Sequence, residues 1–275
     1  FFWVPCGSHG LVHVLLMECL KSEYKPVHRA GAGVRTAEIY AVLRAHRITV
    51  YGLMSVAMIV TGIISWLVGS DLNAAINGQE TRFLSYGMIE TMFSAPLSYI
   101  IMFAPLGMVL FFGKAVNSMS QSGAQMFFYT FAGLMGLSIS SIFAMYTGYS
   151  IAQTFFVTSI AFASLSLYGY TTKKDISAWG SFLIMGVVGL IIASIVNIFL
   201  QSAAMEFAVS ALGVLIFAGL TAYDTQKIKN QYLQVRGMPN GEAIAGKMAI
   251  SGALSLYLDF INLFLFLLRF MGNRN

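Results

Sequence analysis

The chain has 275 residues, of which 57% are hydrophobic and only 10% charged, with a formal net charge of +5. A soluble domain carries about 25% charged residues, so too few polar side chains are present here to coat a water-facing globule. The basic residues lie between long apolar runs, which reads as membrane topology and argues against a nucleic-acid partner.

Residues 1–34 differ from the rest. Val4–Leu20 is too short for a span and is interrupted by Pro5, His9, His13 and Glu18, and no basic start precedes it as a signal peptide requires. We read this stretch as a disordered, atypical N-terminal extension ahead of a transmembrane domain over residues 35–275. His9 and His13, four apart, have the spacing of a helical metal pair, but no second pair supports them. Cys6 and Cys19 form no CxxC and no disulfide framework.

A spanning helix needs roughly 17–25 mostly apolar residues, because lipid leaves every backbone polar group to be satisfied within the segment. Seven stretches qualify: Ile48–Gly69, Leu97–Gly113, Met126–Thr147, Ile151–Tyr170, Ala178–Leu200, Phe207–Tyr223 and Met248–Leu268. The expected fold is therefore an all-α integral membrane protein with seven transmembrane helices. Pro105 predicts a kink in span two. Small residues at helical spacing, Ala132, Gly136 and Ser140 in span three and Gly186, Gly189 and Ala193 in span five, predict close helix packing. The linkers on one side, with the N-terminal arm, hold thirteen basic residues, whereas those on the other hold Arg82 alone. The positive-inside rule then places the N-terminus in the cytoplasm. Arg269 and Arg274 fall on the far side, which leaves a re-entrant last segment open.

Ionisable groups within a bilayer cost several kcal/mol unless paired, neutralised or hydrated, so they are the best functional pointers. Asp259 lies near the middle of span seven, in a polar row with Ser251, Ser255 and Asn262 at helical spacing. Asp224 closes span six, where a carboxylate opposes the helix dipole and calls for a cation, a shared proton or a metal ion. Lys227, three residues on, offers a local offset. In one low-dielectric site two carboxyls share a proton. Once deprotonated they suit an oxygen-seeking cation such as calcium, held weakly. The pair is expected to meet only if helix six continues past Asp224 and helix seven starts later than Met248.

FAGLTAYDTQKIK (Phe217–Lys229), ALSLYLDFINLFLFLLRF (Ala253–Phe270) and TAEIYAVLRAHRITVYGLM (Thr36–Met54) resemble the bacterial branch of the Bax inhibitor-1 family, over roughly Arg35 to Arg274. The resemblance implies six helices around a central C-terminal helix. It also implies a pH-sensitive calcium leak of the bacterial inner membrane, gated by a di-aspartyl pair that falls on Asp224 and Asp259. A basic latch near the end of the second helix is implied too, and Lys114 is the nearest candidate. The glutamate that such relatives carry in the second helix has no counterpart here.

Two other functions compete. Some relatives are associated with a membrane-bound ATP-dependent protease, so the chain could be a non-conducting regulator of such a partner. An intramembrane aspartyl protease also places Tyr-Asp on a sixth span, as Tyr223–Asp224 does, but its GxGD motif is replaced here by LYLD (Leu256–Asp259). No P-loop, GxGxxG, HExxH or GxSxG pattern occurs, so neither a cofactor nor a familiar enzyme class is expected, and calcium enters only as the permeant or weakly bound ion.

Overall fold

The computed structural model describes residues 32–235, 238 and 241–274. The expected extension over residues 1–34, with His9, His13 and both cysteines, lies almost wholly outside the described residues. Within them the chain forms helices α1 (Ala32–Ile76), α2 (Tyr86–Phe93), α3 (Leu97–Ser118), α4 (Gln121–Ile139), α5 (Ile142–Met145), α6 (Gly148–Thr171), α7 (Ser177–Leu200), α8 (Ala203–Val235) and α9 (Gly241–Met271). Seven segments are long and apolar enough to cross a membrane: Ala41–Ile76 of α1, α3, α4 with α5, α6, α7, α8 and α9.

The layering follows from which solvent each helix meets. The most apolar stretch of α7 has a mean hydropathy of 2.7 and is only 17% buried, whereas that of α9 reaches 1.8 and is 67% buried. Lipid tolerates on an outer helix only polar groups that bond within that helix, while an inner helix can carry polar side chains if its neighbours supply partners. The most buried helix is therefore not the most apolar one. Helix α9 packs on α8, α1, α6, α4 and α3, which makes it the core of the bundle. Its 31 residues extend about 46 Å, enough to cross a hydrocarbon layer of about 30 Å. No re-entrant segment is needed to explain the C-terminal arginines. Arg274 is paired with Glu206 in the first turn of α8 and lies over the Tyr146 ring. Next to it, Thr147 N donates to Asn273 O (3.1 Å) and Asn273 N donates to Ser150 Oγ (3.0 Å).

Two linkers are more structured than the hydropathy pattern suggests. Helix α1 runs seven residues past Gly69, and its Asp71 carboxylate, 2% exposed, accepts from the backbone N–H groups of Arg82, Phe83 and Leu84 at 2.9, 2.8 and 2.6 Å. This staple folds the linker back on α1 and leads into α2, whose first turn is capped by Ser85 Oγ. At the other end of the bundle, α8 continues eleven residues beyond Asp224 to Val235. The segment TQKIKNQYLQV contains no Gly or Pro, and its Tyr232 and Val235 are buried.

The small-residue row of span three lies at the crossing with α1. Thr61 Oγ1 donates to Ala132 O at 2.8 Å. A Cβ on Gly136 would stand 2.7 Å from Thr61 O, and Gly69 lies against Ser140 and Phe143. In span five, Gly186 faces Ile216 of α8, but Gly189 faces open space. Gly136→Ala is therefore expected to lower stability by roughly 1–3 kcal/mol through overpacking. Gly189→Ala should leave it unchanged or raise it by up to about 1 kcal/mol. Thermal unfolding of the two purified variants in detergent measures the difference.

Candidate functional site

Helices α8 and α9 run antiparallel, and two close approaches fix their register: Gly252 against Ile228, and Gly213 against Phe266. Asp224 sits four residues before Ile228 and is thus level with about residue 256 of α9. Asp259 is three residues further, one helical turn or roughly 4.5 Å along the axis. The expected condition on α8 is met, since that helix continues past Asp224. The condition on α9 is not, since that helix begins earlier than Met248, at Gly241. The carboxyls still come within electrostatic reach of one another, because the extended α8 brings the two levels together.

Their surroundings differ. The Asp224 side chain is 15% exposed and its Oδ1 lies 3.8 Å from Lys227 Nζ, one turn along the same helix. Asp259 is 4% exposed, and its Oδ2 has no hydrogen-bond partner. Such an orphan costs roughly 1–3 kcal/mol for a neutral group and more for a charged one. The polar row on α9 grades in exposure towards Asp259: Ser251 is exposed and Ser255 half-buried. Beyond it, half-buried Asn262 donates to its own helix at Leu258 O (2.8 Å). The row therefore leads inward from the end of the bundle where α9 begins. Lys114 is exposed on α3, and the cation that reaches Asp224 is Lys227. Lys227 also lies 5.2 Å from the Tyr223 ring centroid.

Near the pair, hydrogen bonds join the α6–α7 linker to α8. Buried Gln226 accepts from Ile176 N (3.0 Å) and donates to Lys174 O (2.8 Å), which ties the α6–α7 linker to α8. In that linker Asp175 accepts from Ser177 N at 2.9 Å, and bonding to Ser177 holds its carboxyl below the usual carboxylate range. Thr221 and Thr225 bond to carbonyls of their own helix. Among the described residues no three His, Cys, Asp or Glu side chains cluster closely enough to hold a metal ion. Two carboxylates with hydroxyl and carbonyl oxygens make a weak cation site at most.

Two features escape the sequence reading. Tyr257, fully buried between Phe128 and Phe131, lies 2.7 Å from Thr61 Oγ1. Thr61 spends its one hydroxyl proton on Ala132 O, so Tyr257 is the donor. This chain of bonds locks α9 to α1 and α4 two residues from Asp259. The second feature is a buried row on α6, Ser150, Thr154, Thr158, Phe162 and Ser166, with Ser166 Oγ lacking a partner. The row turns towards α9 near the site, since Phe162 packs edge-on against Phe260 at 5.4 Å. Its four-residue spacing is visible in the sequence. The Tyr257 bond leaves no local trace.

A protein family described as inhibitor of apoptosis-promoting Bax1 matches residues 43–275. An uncharacterised protein of Rickettsia prowazekii is 44% identical over 232 residues, 84% of this chain and 91% of the relative. An uncharacterised protein of Caulobacter vibrioides is 44% identical over 237 residues, 84% of this chain and 90% of the relative. The inner membrane protein YbhL of Escherichia coli is 40% identical over 235 residues, 85% of this chain and 94% of the relative.

Tyr257→Phe is expected to cost about 1 kcal/mol by removing one buried hydrogen bond. Thr61→Val should cost more, since it also leaves the Tyr257 hydroxyl without an acceptor. A double-mutant cycle on thermal stability should show the two effects to be non-additive.

Proposed function

The chain belongs to the Bax inhibitor-1 family, and from that premise we propose that it is a pH-sensitive calcium leak gated by Asp224 and Asp259. The observation that carries the reading is the unpartnered Asp259 oxygen, buried in the central helix within electrostatic reach of a second carboxyl. Two carboxyls in one low-dielectric site cannot both ionise cheaply, so the pair holds one proton at low pH. Its removal leaves facing negative charges that push α8 and α9 apart or draw in a divalent cation. The polar row from Ser251 to Asp259 gives that cation an entry from one end of the bundle. The buried hydroxyls of α6 offer it further oxygens. A site this poor in ligands releases what it binds, which suits conduction rather than storage.

The basic bias sets the N-terminus on the cytoplasmic side, and the name of the Escherichia coli relative points to an inner membrane. The intramembrane-protease alternative has less in its favour. Such an enzyme needs both carboxyls on one water beside a peptide, whereas Asp259 is 4% exposed and Asp224 faces Lys227.

Calcium flux into proteoliposomes across pH 6–8 tests the proposal. Wild-type flux should rise with pH, and Asp259→Asn should make it low and flat. A variant whose flux and pH profile match wild type would overturn the reading. Lys227→Gln supplies a second arm. The ammonium 3.8 Å from Asp224 favours the ionised carboxylate. Without it the rise in flux should move to higher pH, with the limiting flux retained.

A further inference from the structure

At the end of the bundle where α1 enters the membrane, a shallow open cleft lies between α1, α6 and α8, over α9. Its base is apolar and already packed: Leu43, Val50 and Leu256 are buried and Ile228 is half-buried. Its rim carries His46, Arg47 and Lys229, with Tyr170 between them. Both cations gather on Tyr170. The Arg47 guanidinium is 4.4 Å and the Lys229 ammonium 5.1 Å from its ring centroid. Lys229 spends one proton on Tyr170 O at 2.9 Å, at the C-terminal end of α6. Its other two protons and the five guanidinium N–H groups of Arg47 have no hydrogen-bond acceptor among the described residues. No carboxylate lines the cleft, and the two ion pairs described, Lys227–Asp224 and Arg274–Glu206, both lie elsewhere. His46 is held by stacking on Tyr232, with ring centroids 4.2 Å apart.

Two cations gathered on one ring with unfilled donors favour an anion that can join them. A guanidinium presents its donors in a fork that matches two oxygens of one phosphate. The surroundings narrow the choice of anion. The cleft lies at the membrane boundary, near the start of the apolar segment at Ala41, and Ile48, next to Arg47, is exposed. A free phosphate would gain nothing from the exposed apolar surface beside Arg47, whereas an acyl chain would bury methylenes against it. We infer that this cleft is a binding site for an acidic phospholipid, its headgroup phosphate on Arg47 and Lys229 and an acyl chain against the exposed face of α1 at Ile48. Because Arg47, Tyr170 and Lys229 stand on α1, α6 and α8, an occupant would brace α8, which carries Asp224, against its neighbours without touching that residue. The inference is independent of whether the protein conducts calcium.

The test uses the full chain purified in detergent, titrated with dioleoylphosphatidylglycerol or dioleoylphosphatidylcholine and read by native mass spectrometry. The acidic lipid should bind about tenfold more tightly than the zwitterionic one. The double variant Arg47→Gln/Lys229→Gln should lose that preference. Arg44→Gln, which alters an exposed cation outside the cleft, should keep it. An unchanged preference in the double variant, or an equal loss in Arg44→Gln, overturns the site. Inorganic phosphate that displaces the lipid at matching concentration overturns the lipid assignment. If the double variant does not fold, a photoactivatable phosphatidylglycerol on the wild-type chain decides. Labelling within 43–51 and at Tyr170 supports the site, and labelling confined to other segments overturns it.

Discussion

Hydrocarbon offers no hydrogen bonds, so each polar group placed below the headgroups must find its partner within the protein. The bundle is organised around that demand. The helix that carries Asp259, α9, is the one packed in the centre, and the most apolar helix, α7, is left facing lipid. Tyr257 is satisfied by Thr61, Thr61 by Ala132, and Asn262 by its own helix. Asp259 Oδ2 is the exception in α9, and it lies within electrostatic reach of a second carboxyl. A buried carboxyl oxygen left without a partner on a helix whose other buried polar groups are satisfied is the kind of local inconsistency that functional sites tolerate.

The basic end of the bundle shows a second consequence of the same demand. Helices α3 and α6 both end there with unpaired carbonyls and a negative dipole. Lys247 donates to Asn117 O at 3.0 Å and Lys229 to Tyr170 O at 2.9 Å, so each closes a helix terminus across the bundle. The excess of lysine that identifies this side in the sequence therefore serves packing as well as topology. Lys227, nearby, is turned instead towards Asp224.

The number of spans and the all-helical class could be read from the chain, and Asp224 and Asp259 stood out in it as candidates, because each has a local cause. Length sets a span, and a charge amid apolar residues declares its own cost. The row Ala132, Gly136, Ser140 was legible as a packing face, and α1 lies on it; the row in span five was legible only in part, since Gly189 meets nothing. The true length of α8 was hidden because Lys227 and Lys229 look like a loop, and only the bundle reveals that their long side chains reach polar partners while the backbone stays helical. The staple on Asp71 and the Tyr257–Thr61–Ala132 chain were illegible, since each depends on a fold that brings distant residues together. For the same reason Lys114, chosen by its place in the chain, is exposed while Lys227 meets Asp224.

The tether at the C-terminus limits how the central helix can move. Asn273 and Arg274 are bound to Thr147, Ser150 and Glu206, on the ends of α6 and α8 that lie opposite the basic face. A piston stroke of α9 along its axis would break all of these contacts at once. A swing that pivots about this anchored end breaks none of them. Displacement in such a swing grows with distance from the pivot, so it is greatest at the Gly241 end, where it would strain the Lys247–Asn117 bond, and smaller at the Asp259 level midway along.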